Sequence, residues 1–295
     1  MTERQVQVAQ SDLSGLRWIH ADVFTHTPLS GNGLAIFPEA GQLSTAVMQR
    51  LTQEMRQFES IFLIGEPSEG GVAARIFTAE EELDFAGHPV LGAAAALQHL
   101  TGAKEDRNWR IVLNSGEISV RTQTRPHGFW AEMDQGIASF EQDRPSEAVR
   151  HVLNGLGLES NLLFDGLPIA TVSTGLPYVI VPVTAGGLAV AQIQCADFEQ
   201  RLAKLGGKFV YVLDPEAFEG RTWDNLGLVE DIATGSAAGP TAAYLWRYCG
   251  APENLILRQG RFVGRPSEIV MKRDPITGSV LVSGEIILLA KGRFF

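Results

Sequence analysis

The sequence predicts an α+β fold of two pseudo-symmetric halves, each a curled, mostly antiparallel sheet around a central helix. Two Ala-rich apolar helices indicate this, since each follows a Gly-containing turn and ends at a glycine. His88 and Ser236 take equivalent places in them, 148 residues apart in a chain of 295. A second pair of turns, at Gly31 and Gly175, has an offset of 144 residues. Two matches at nearly one offset favour an internal repeat, and many short strands around one buried helix favour α+β domains.

The second Ala-rich helix follows the stretch 230–240, which reads EDIATGSAAGP. The hydroxyls of Thr234 and Ser236 are expected to cap the helix start, and Pro240 is expected in or near the first turn. A helix start built from small residues lets an anion approach free backbone N–H groups, where the helix dipole also favours negative charge. Because Gly turns before apolar helices are common, chance similarity of the two halves is the alternative to duplication.

The amino-acid composition and net charge exclude some classes of protein. Apolar residues make up 45% and charged residues 20% of the chain, which is typical of a globular protein. The net charge of −10 argues against nonspecific binding to nucleic acid or to an anionic membrane, yet a locally positive site can still take a small anion. Cys195 and Cys249 form no disulfide framework, which favours the reducing cytoplasm. Residues 1–15 lack the apolar core of a signal peptide, and no apolar stretch is long enough to span a membrane.

The first half is predicted as residues 1–138, with the last strand, about 285–295, able to complete it. After a loose tail at 1–14, a helix capped by Ser44 places apolar residues at helical spacing and ends near Glu59. The first Ala-rich helix follows His88. A hairpin turns about Ser115 and Gly116. The predicted strands lie at 16–24, 34–37, 60–64, 72–77, 109–114, 117–123 and 129–133.

The second half is predicted as residues 139–284, because the chain turns polar and rich in Gly and Pro around 135–145. A helix is expected at 146–156, and another runs from the cap residue Asp197 to Leu205. The second Ala-rich helix then ends at Gly250. The predicted strands are two within 169–183 and one each at 209–213, 255–258, 268–272, 280–283 and 286–290.

Glu59 has the most unusual predicted surroundings of any acid in the chain. The predicted helix end beside it disfavours a carboxylate by about 0.3–1 kcal/mol. Its neighbours include Phe58 and the apolar run 61–63, so partial burial is expected. Both effects raise the expected pKa of the carboxyl, as a proton-shuttling group requires. The alternative is an exposed Glu at a helix–strand corner, which the residues alone favour slightly.

His88 and Asp231 lie at the two related helix starts. Each has a structural alternative: His88 can simply hydrogen-bond its own turn, and Asp231 can simply stabilise the helix dipole. In two pseudo-symmetric halves, however, equivalent helix starts commonly face one interdomain cleft, the usual place for a site. The repeat therefore predicts that the two side chains converge, with Asp231 orienting the imidazole.

Other chemistries find no support in the sequence. The run 31–33 (GNG) is too short for a dinucleotide fingerprint, and no Walker-type phosphate loop occurs. The run 234–239 lacks the Gly-x-Ser-x-Gly spacing of a nucleophile elbow. No metal-ligand spacing is found among the remaining histidines, so no metal site is predicted. These are His20, His26, His99, His127 and His151.

Taken together, the motifs resemble the PhzF-like phenazine-biosynthesis family, whose fold is similar to diaminopimelate epimerase. Each motif alone is weak, but together they follow the family's order over most of the chain. They are DVF at 22–24, GNGLAIF at 31–37, EMRQFE at 54–59, RIFT at 75–78, FAGHP at 85–89, EDIATGSAAGP at 230–240, QG at 259–260 and GRPS at 264–267.

The resemblance implies a cofactor-independent isomerase that moves a proton on a small carboxylate-bearing substrate, and usually a homodimer. The type reaction isomerises trans-2,3-dihydro-3-hydroxyanthranilate. The resemblance assigns Glu59 as the proton shuttle, with His88 and Asp231 as supporting acid/base groups. It also assigns substrate binding to Asn32, Gly87, Gly235 and Ser236. The related epimerases carry two cysteines in these Gly turns, and this chain carries none there, so a two-thiol racemase is not expected.

The chain departs from the family pattern near these motifs. Arg56 and Phe58 stand where the family often has Asn and Ser. Ala79 and Asp84 stand at frequent Pro positions, and Phe262 stands at a frequent Glu position. The departures bear on the substrate rather than on the chemistry. The alternatives are an amino-acid epimerase or racemase that uses Glu59 and His88 as two bases, and a carboxylate-binding protein without turnover.

Overall fold

A computed structural model describes residues 13–68, 71–141 and 145–295 of the chain. Most of the predicted tail, and three residues of the predicted boundary region, lie outside the described residues. The chain folds into two compact units. The first comprises residues 1–133 and 285–295, and the second comprises residues 134–284. No helix within the described ranges is both long and apolar enough to cross a bilayer.

In the described residues, the first unit contains eight strands of its own, the C-terminal part of the chain's last strand, and two helices. The strands are β1 (Arg17–Val23), β2 (Asn32–Phe37), β3 (Glu59–Ser68), β4 (Gly71–Phe77), β5 (Glu82–Leu83), β6 (Arg107–Leu113), β7 (Gly116–Arg125) and β8 (Gly128–Asp134). The helices are α1 (Thr45–Met55) and α2 (Gly87–Thr101).

The second unit is built from the remaining strands and helices. The strands are β9 (Ser139–Phe140), β10 (Ala170–Ser173), β11 (Pro177–Pro182), β12 (Phe209–Asp214), β13 (Glu219–Arg221), β14 (Asn254–Gln259), β15 (Ser267–Arg273) and β16 (Val280–Arg293). The α-helices are α3 (Ser146–Gly155), α4 (Ala185–Val190), α5 (Phe198–Ala203) and α6 (Gly235–Tyr248), and short 3₁₀ helices occur at Ser160–Leu162 and Arg261–Val263.

The sheet of the first unit closes on itself. Its strand order is β1-β2-β3-β4-β6-β7-β8-β16, and β16 also pairs with β1. Most neighbours are antiparallel, but β2–β3 and β4–β6 are parallel, so the sheet is mixed. Helix α2 is buried along most of its length and contacts β1, β2, β3, β6 and β7. Its close approach depends on Gly92, since a Cβ there would lie 2.4 Å from Leu34 Cδ2.

The sheet of the second unit runs β9-β10-β11-β12-β13-β14-β15-β16, with parallel pairs at β11–β12 and β13–β14. Helix α6 buries the run 237–245 and contacts β10, β11 and β15. The remaining helices pack on an aliphatic core that includes Val152, Leu156, Phe198 and Leu202. Helix α6 is mostly small and apolar up to Leu245 and is buried there, whereas Arg247 near its end is exposed.

Four predicted features differ from the structure. Helix α1 ends at Met55, because Arg56 takes the left-handed conformation (φ 53°), so Glu59 is the first residue of β3 and not at a helix end. Pro240 is the sixth residue of α6 rather than a first-turn residue. The strands predicted at 280–283 and 286–290 are one continuous strand, β16. Asp197 precedes α5 without capping it, because its carboxylate pairs with Arg201.

Candidate active site

Three of the predicted site residues come together within the first unit, each from a different element. Glu59 begins β3, His88 is the second residue of α2, and Asn32 begins β2. Strands β2 and β3 are parallel with Leu34 opposite Glu59, which places the carboxyl close to the start of β2. The glycine at position 33 lets the turn before Glu59 pack tightly, since a Cβ there would lie 2.2 Å from Oε1 of Gln57.

The contacts within this group are polar and buried. Nδ1 of His88 lies 3.3 Å from Oε2 of Glu59 and 3.4 Å from Nδ2 of Asn32. Glu59 is 6% exposed, His88 3% and Asn32 fully buried. The predicted burial of Glu59 is therefore confirmed, whereas the helix-end effect expected to act on it is absent because α1 ends four residues earlier.

Burial lowers the pKa of His88 from 6.5 to about 3. The imidazole is therefore neutral at pH 7, so its 3.3 Å approach to Glu59 is not an ion pair. A neutral imidazole has one donor and one acceptor nitrogen. The amide nitrogen of Asn32 can only donate, so Nδ1 is the acceptor in that contact and Nε2 carries the ring proton.

The second ring nitrogen of His88, Nε2, is a candidate for contact with a bound ligand. Within residues 13–68, 71–141 and 145–295, Nε2 of His88 is buried and makes no hydrogen bond. Buried polar atoms in proteins are nearly always satisfied, so an exception calls for an explanation such as a bound ligand.

The remaining predicted residues lie in the second unit. Asp231 is 5% exposed, and its Oδ2 accepts a hydrogen bond from the Thr234 hydroxyl at 2.5 Å. Gly235 is the first residue of α6, and Ser236 is the second, with its hydroxyl 2.7 Å from the Tyr178 hydroxyl. The predicted capping of the helix by these hydroxyls is therefore wrong: Thr234, the N-cap residue, makes no side-chain cap hydrogen bond, and the Ser236 hydroxyl pairs with that of Tyr178.

The starts of α2 and α6 share one electrostatic property. Neither N-cap residue, Ala86 or Thr234, makes a side-chain cap hydrogen bond, and neither first turn contains an acidic residue. The N–H groups of a helix start that no side chain caps carry the positive end of the helix dipole. Anion binding at these two starts stays a prediction, which the free positive ends of the helix dipoles favour.

Sequence reasoning gave no role to two residues near Asp231, namely Tyr211 and Gln259. Gln259 is 1% exposed and its side chain touches Asp231, Thr234 and Tyr211. The motif QG at 259–260 was a signal for Gln259, but no role could be given to it. Tyr211 and Gln259 lie on β12 and β14, so only the folded chain brings them together.

The departures from the family pattern lie away from the Glu59 group or at its edge. Arg56 is exposed and forms the left-handed end of α1, while Phe58 is half-buried in the turn before Glu59. Ala79 and Asp84 are exposed. The ring of Phe262 lies under the guanidinium groups of Arg221 and Arg261, at 4.3 Å from each, and packs against the core of the second unit.

Among the described residues, no group of three or more His, Cys, Asp or Glu side chains is arranged to hold a metal ion.

Comparison with known proteins places these residues in context. Residues 21–292 match the family of phenazine biosynthesis-like proteins, PhzC-PhzF. A trans-2,3-dihydro-3-hydroxyanthranilate isomerase of Pseudomonas aeruginosa is 33% identical, over 95% of this chain and 99% of that protein. A solved structure from the same species, described as a predicted epimerase, is 49% identical with a TM-score of 0.90, over 94% of this chain and 98% of that one. A hydroxyproline epimerase of Agrobacterium vitis, 10% identical, shares the fold alone, with a TM-score of 0.60 over 95% of this chain and 92% of that one.

Proposed function

Because the chain belongs to the phenazine biosynthesis-like family PhzC-PhzF, we propose that it is a cofactor-independent isomerase that moves a proton on a small carboxylate-bearing substrate. One observation carries the proposal: a buried carboxyl, Glu59, contacts a buried neutral imidazole, His88, whose second nitrogen has no hydrogen-bond partner in the described residues. A buried carboxyl can serve as a general acid and base, and a buried nitrogen without a partner is available to a ligand.

In the proposed reaction Glu59 carries the proton. Its carboxylate takes a proton from one carbon of the substrate, and the resulting carboxylic acid returns a proton to another carbon, so that a double bond shifts and the enzyme is unchanged. His88 lies beside this carboxyl, with Nδ1 3.3 Å from Oε2. The imidazole remains neutral throughout, because burial penalises its charged form.

Substrate binding is assigned to polar groups near the two helix starts. Asn32 contacts His88, and the N–H groups at Gly87, Gly235 and Ser236 are proposed to receive the substrate carboxylate. We further propose that the two units are pseudo-symmetric halves, each organised around its Ala-rich helix, in a cytoplasmic homodimer. The expectation that the two helix starts share one site stays a prediction.

The direct test is turnover of trans-2,3-dihydro-3-hydroxyanthranilate, on which the P. aeruginosa relative is named to act. We expect the purified chain to shift the double bond of this compound, or of a close carboxylate analogue, without added metal or cofactor. Absorbance and proton NMR report the shift. A chain that binds these compounds and converts none of them contradicts the proposal and favours the binding-protein alternative.

An epimerase is the second candidate, because the relative at 49% identity is described as a predicted epimerase. The same NMR experiment in D₂O separates the two reactions. An epimerase returns its amino-acid substrate with deuterium at the α-carbon, inverted configuration and unchanged double bonds. An isomerase yields a product in which the double bond has moved.

The carboxylate site is tested by replacing Gly235 with Val. The added side chain at the first residue of α6 blocks the approach to the helix N–H groups, so we expect the Kd for 3-hydroxyanthranilate to rise by about 10-fold or more. This compound is the aromatic counterpart of the relative's substrate and keeps its carboxylate. Isothermal titration calorimetry measures the affinity. Gly186→Val is the matched control, because Gly186 lies in the exposed part of α4 and a Cβ there meets only ordinary contacts. Equal Kd values for the two variants would remove the anion site from α6.

A further inference from the structure

We propose that Gln259, with Tyr211 and Thr234, is a positioning device that holds Asp231 as an ionised hydrogen-bond acceptor. Asp231 then supplies a fixed negative charge, and it does not carry the proton. The inference rests on the proposed function, since it assigns Asp231 its part in that chemistry. It is drawn entirely from contacts within the second unit, and three of the residues are nearly inaccessible: Tyr211 0%, Gln259 1% and Asp231 5% exposed.

The orientation of the Gln259 amide is fixed by its neighbours. Its Oε1 receives the Tyr211 hydroxyl at 3.0 Å and the backbone N–H of Thr234 at 3.2 Å. Its Nε2 lies 2.8 Å from the backbone carbonyl oxygen of Asp231, which can only accept. If the amide were flipped, its NH₂ group would face the backbone N–H of Thr234, and its oxygen would face the backbone carbonyl oxygen of Asp231. Neither pair can form a hydrogen bond. The amide therefore has one allowed orientation, although flips are often ambiguous.

This orientation determines the direction of the next hydrogen bond. The second proton of the Gln259 Nε2 points to the Thr234 hydroxyl oxygen at 2.9 Å, so the hydroxyl accepts there. A hydroxyl has a single proton, and Thr234 directs it to Oδ2 of Asp231 at 2.5 Å. Oδ2 must then accept, which requires that it carry no proton.

The chain of donors therefore runs one way, from Tyr211 and Gln259 through Thr234 to Asp231. Burial, and secondarily the negative charge of Asp231, raises the pKa of Tyr211 well above 10, so its hydroxyl remains a donor at working pH. A hydrogen bond to the charged form of a carboxyl favours that form. The Thr234 donor therefore favours the ionised form of Asp231.

The arrangement predicts an order of importance among the three positioning residues. Thr234 holds the donor that touches Asp231, so its loss acts directly. Tyr211 is one of two donors to Gln259 Oε1, and the backbone N–H of Thr234 remains when the phenol hydroxyl is removed. We therefore expect Thr234→Val to have a larger effect than Tyr211→Phe.

The test uses the full chain labelled with [¹³C]aspartate, in which the carboxyl signal of Asp231 is assigned by its loss in Asp231→Asn. In Thr234→Val we expect the pH midpoint of this signal to rise by about one unit or more relative to wild type, because the donor to the carboxylate is lost. Thr234→Ser keeps the hydroxyl and restores the wild-type midpoint. Thr171→Val is the matched control, since Thr171 is also buried and its hydroxyl donates to the backbone oxygen of Leu205 at 2.6 Å.

Turnover gives a second readout. We expect Thr234→Val to lower kcat by about 10-fold or more with little change in KM, and Thr234→Ser to recover most of it. A midpoint for Asp231 that is equal in wild type and folded Thr234→Val overturns the inference, whatever the activity. A raised midpoint supports it even if no tested compound is converted, in which case the proposed function fails by itself. If kcat falls while the pH midpoint of the Asp231 signal is unchanged, Thr234 has only a structural role, and the inference is overturned.

Discussion

Replacing Glu59 by Gln is expected to lower turnover by about 10²-fold or more while the melting temperature holds or rises. The amide has nearly the size of the carboxyl and can still hydrogen-bond Nδ1 of His88, but it cannot take up and return a proton. Stability is expected to hold because the amide avoids the cost of burying an ionisable carboxyl. Steady-state kinetics on the converted substrate and thermal unfolding of the same preparation measure the two effects.

The matched control is Glu54→Gln, which makes the same chemical change at an exposed position of α1 five residues earlier. We expect it to leave both turnover and melting temperature near wild type. If folded Glu59→Gln turns over normally, Glu59 is not the proton carrier, and His88 with Asp231 becomes the acid/base pair to examine. A comparable loss of activity in Glu54→Gln would instead indicate a general effect of charge.

Because of His88, the free energy of unfolding is expected to fall by about 1.4 kcal/mol for each unit by which the pH is lowered between 6.5 and about 3. The folded-state pKa of about 3 lies below the ordinary value of 6.5, so in this window His88 is protonated in the unfolded chain and neutral in the folded chain. The stability contributed by the neutral ring is therefore complete above pH 6.5 and is lost as the pH falls toward 3.

Urea unfolding at pH 7.5, 6, 5 and 4 measures this slope for wild type and for His88→Asn, which cannot gain a proton. We expect the free energy of unfolding of the variant to fall less steeply as the pH is lowered, and the difference in slope corresponds to one proton. His127→Asn is the control, because His127 is exposed and its removal should leave the wild-type slope. Parallel pH profiles for wild type and His88→Asn would show that His88 titrates normally in the folded protein.

Local patterns predicted many of the elements but not where each one ends. The sequence places the hairpin β6–β7 about Ser115 and Gly116, and it places both Ala-rich helices after their glycines. The end of α1 was misplaced, because Arg56 adopts a left-handed conformation that usually calls for Gly or Asn. Strand β16 was divided because Ser283-Gly284-Glu285 resembles a turn, whereas pairing with β15 on one stretch and β1 on another keeps it extended.

The sequence by itself determined the family, the apolar helices and the identity of the candidate groups Glu59, His88, Asn32 and Asp231, because these depend on residue types at fixed local spacing. Only the tertiary structure decided what surrounds those groups. The low pKa of His88 comes from complete burial, and the contact between Glu59 and His88 joins a strand to a helix 29 residues further on. The donor chain to Asp231 joins β12, β14 and the start of α6. Hydrogen-bond direction and desolvation depend on distances between segments remote in the chain, and no local pattern of residues encodes those distances.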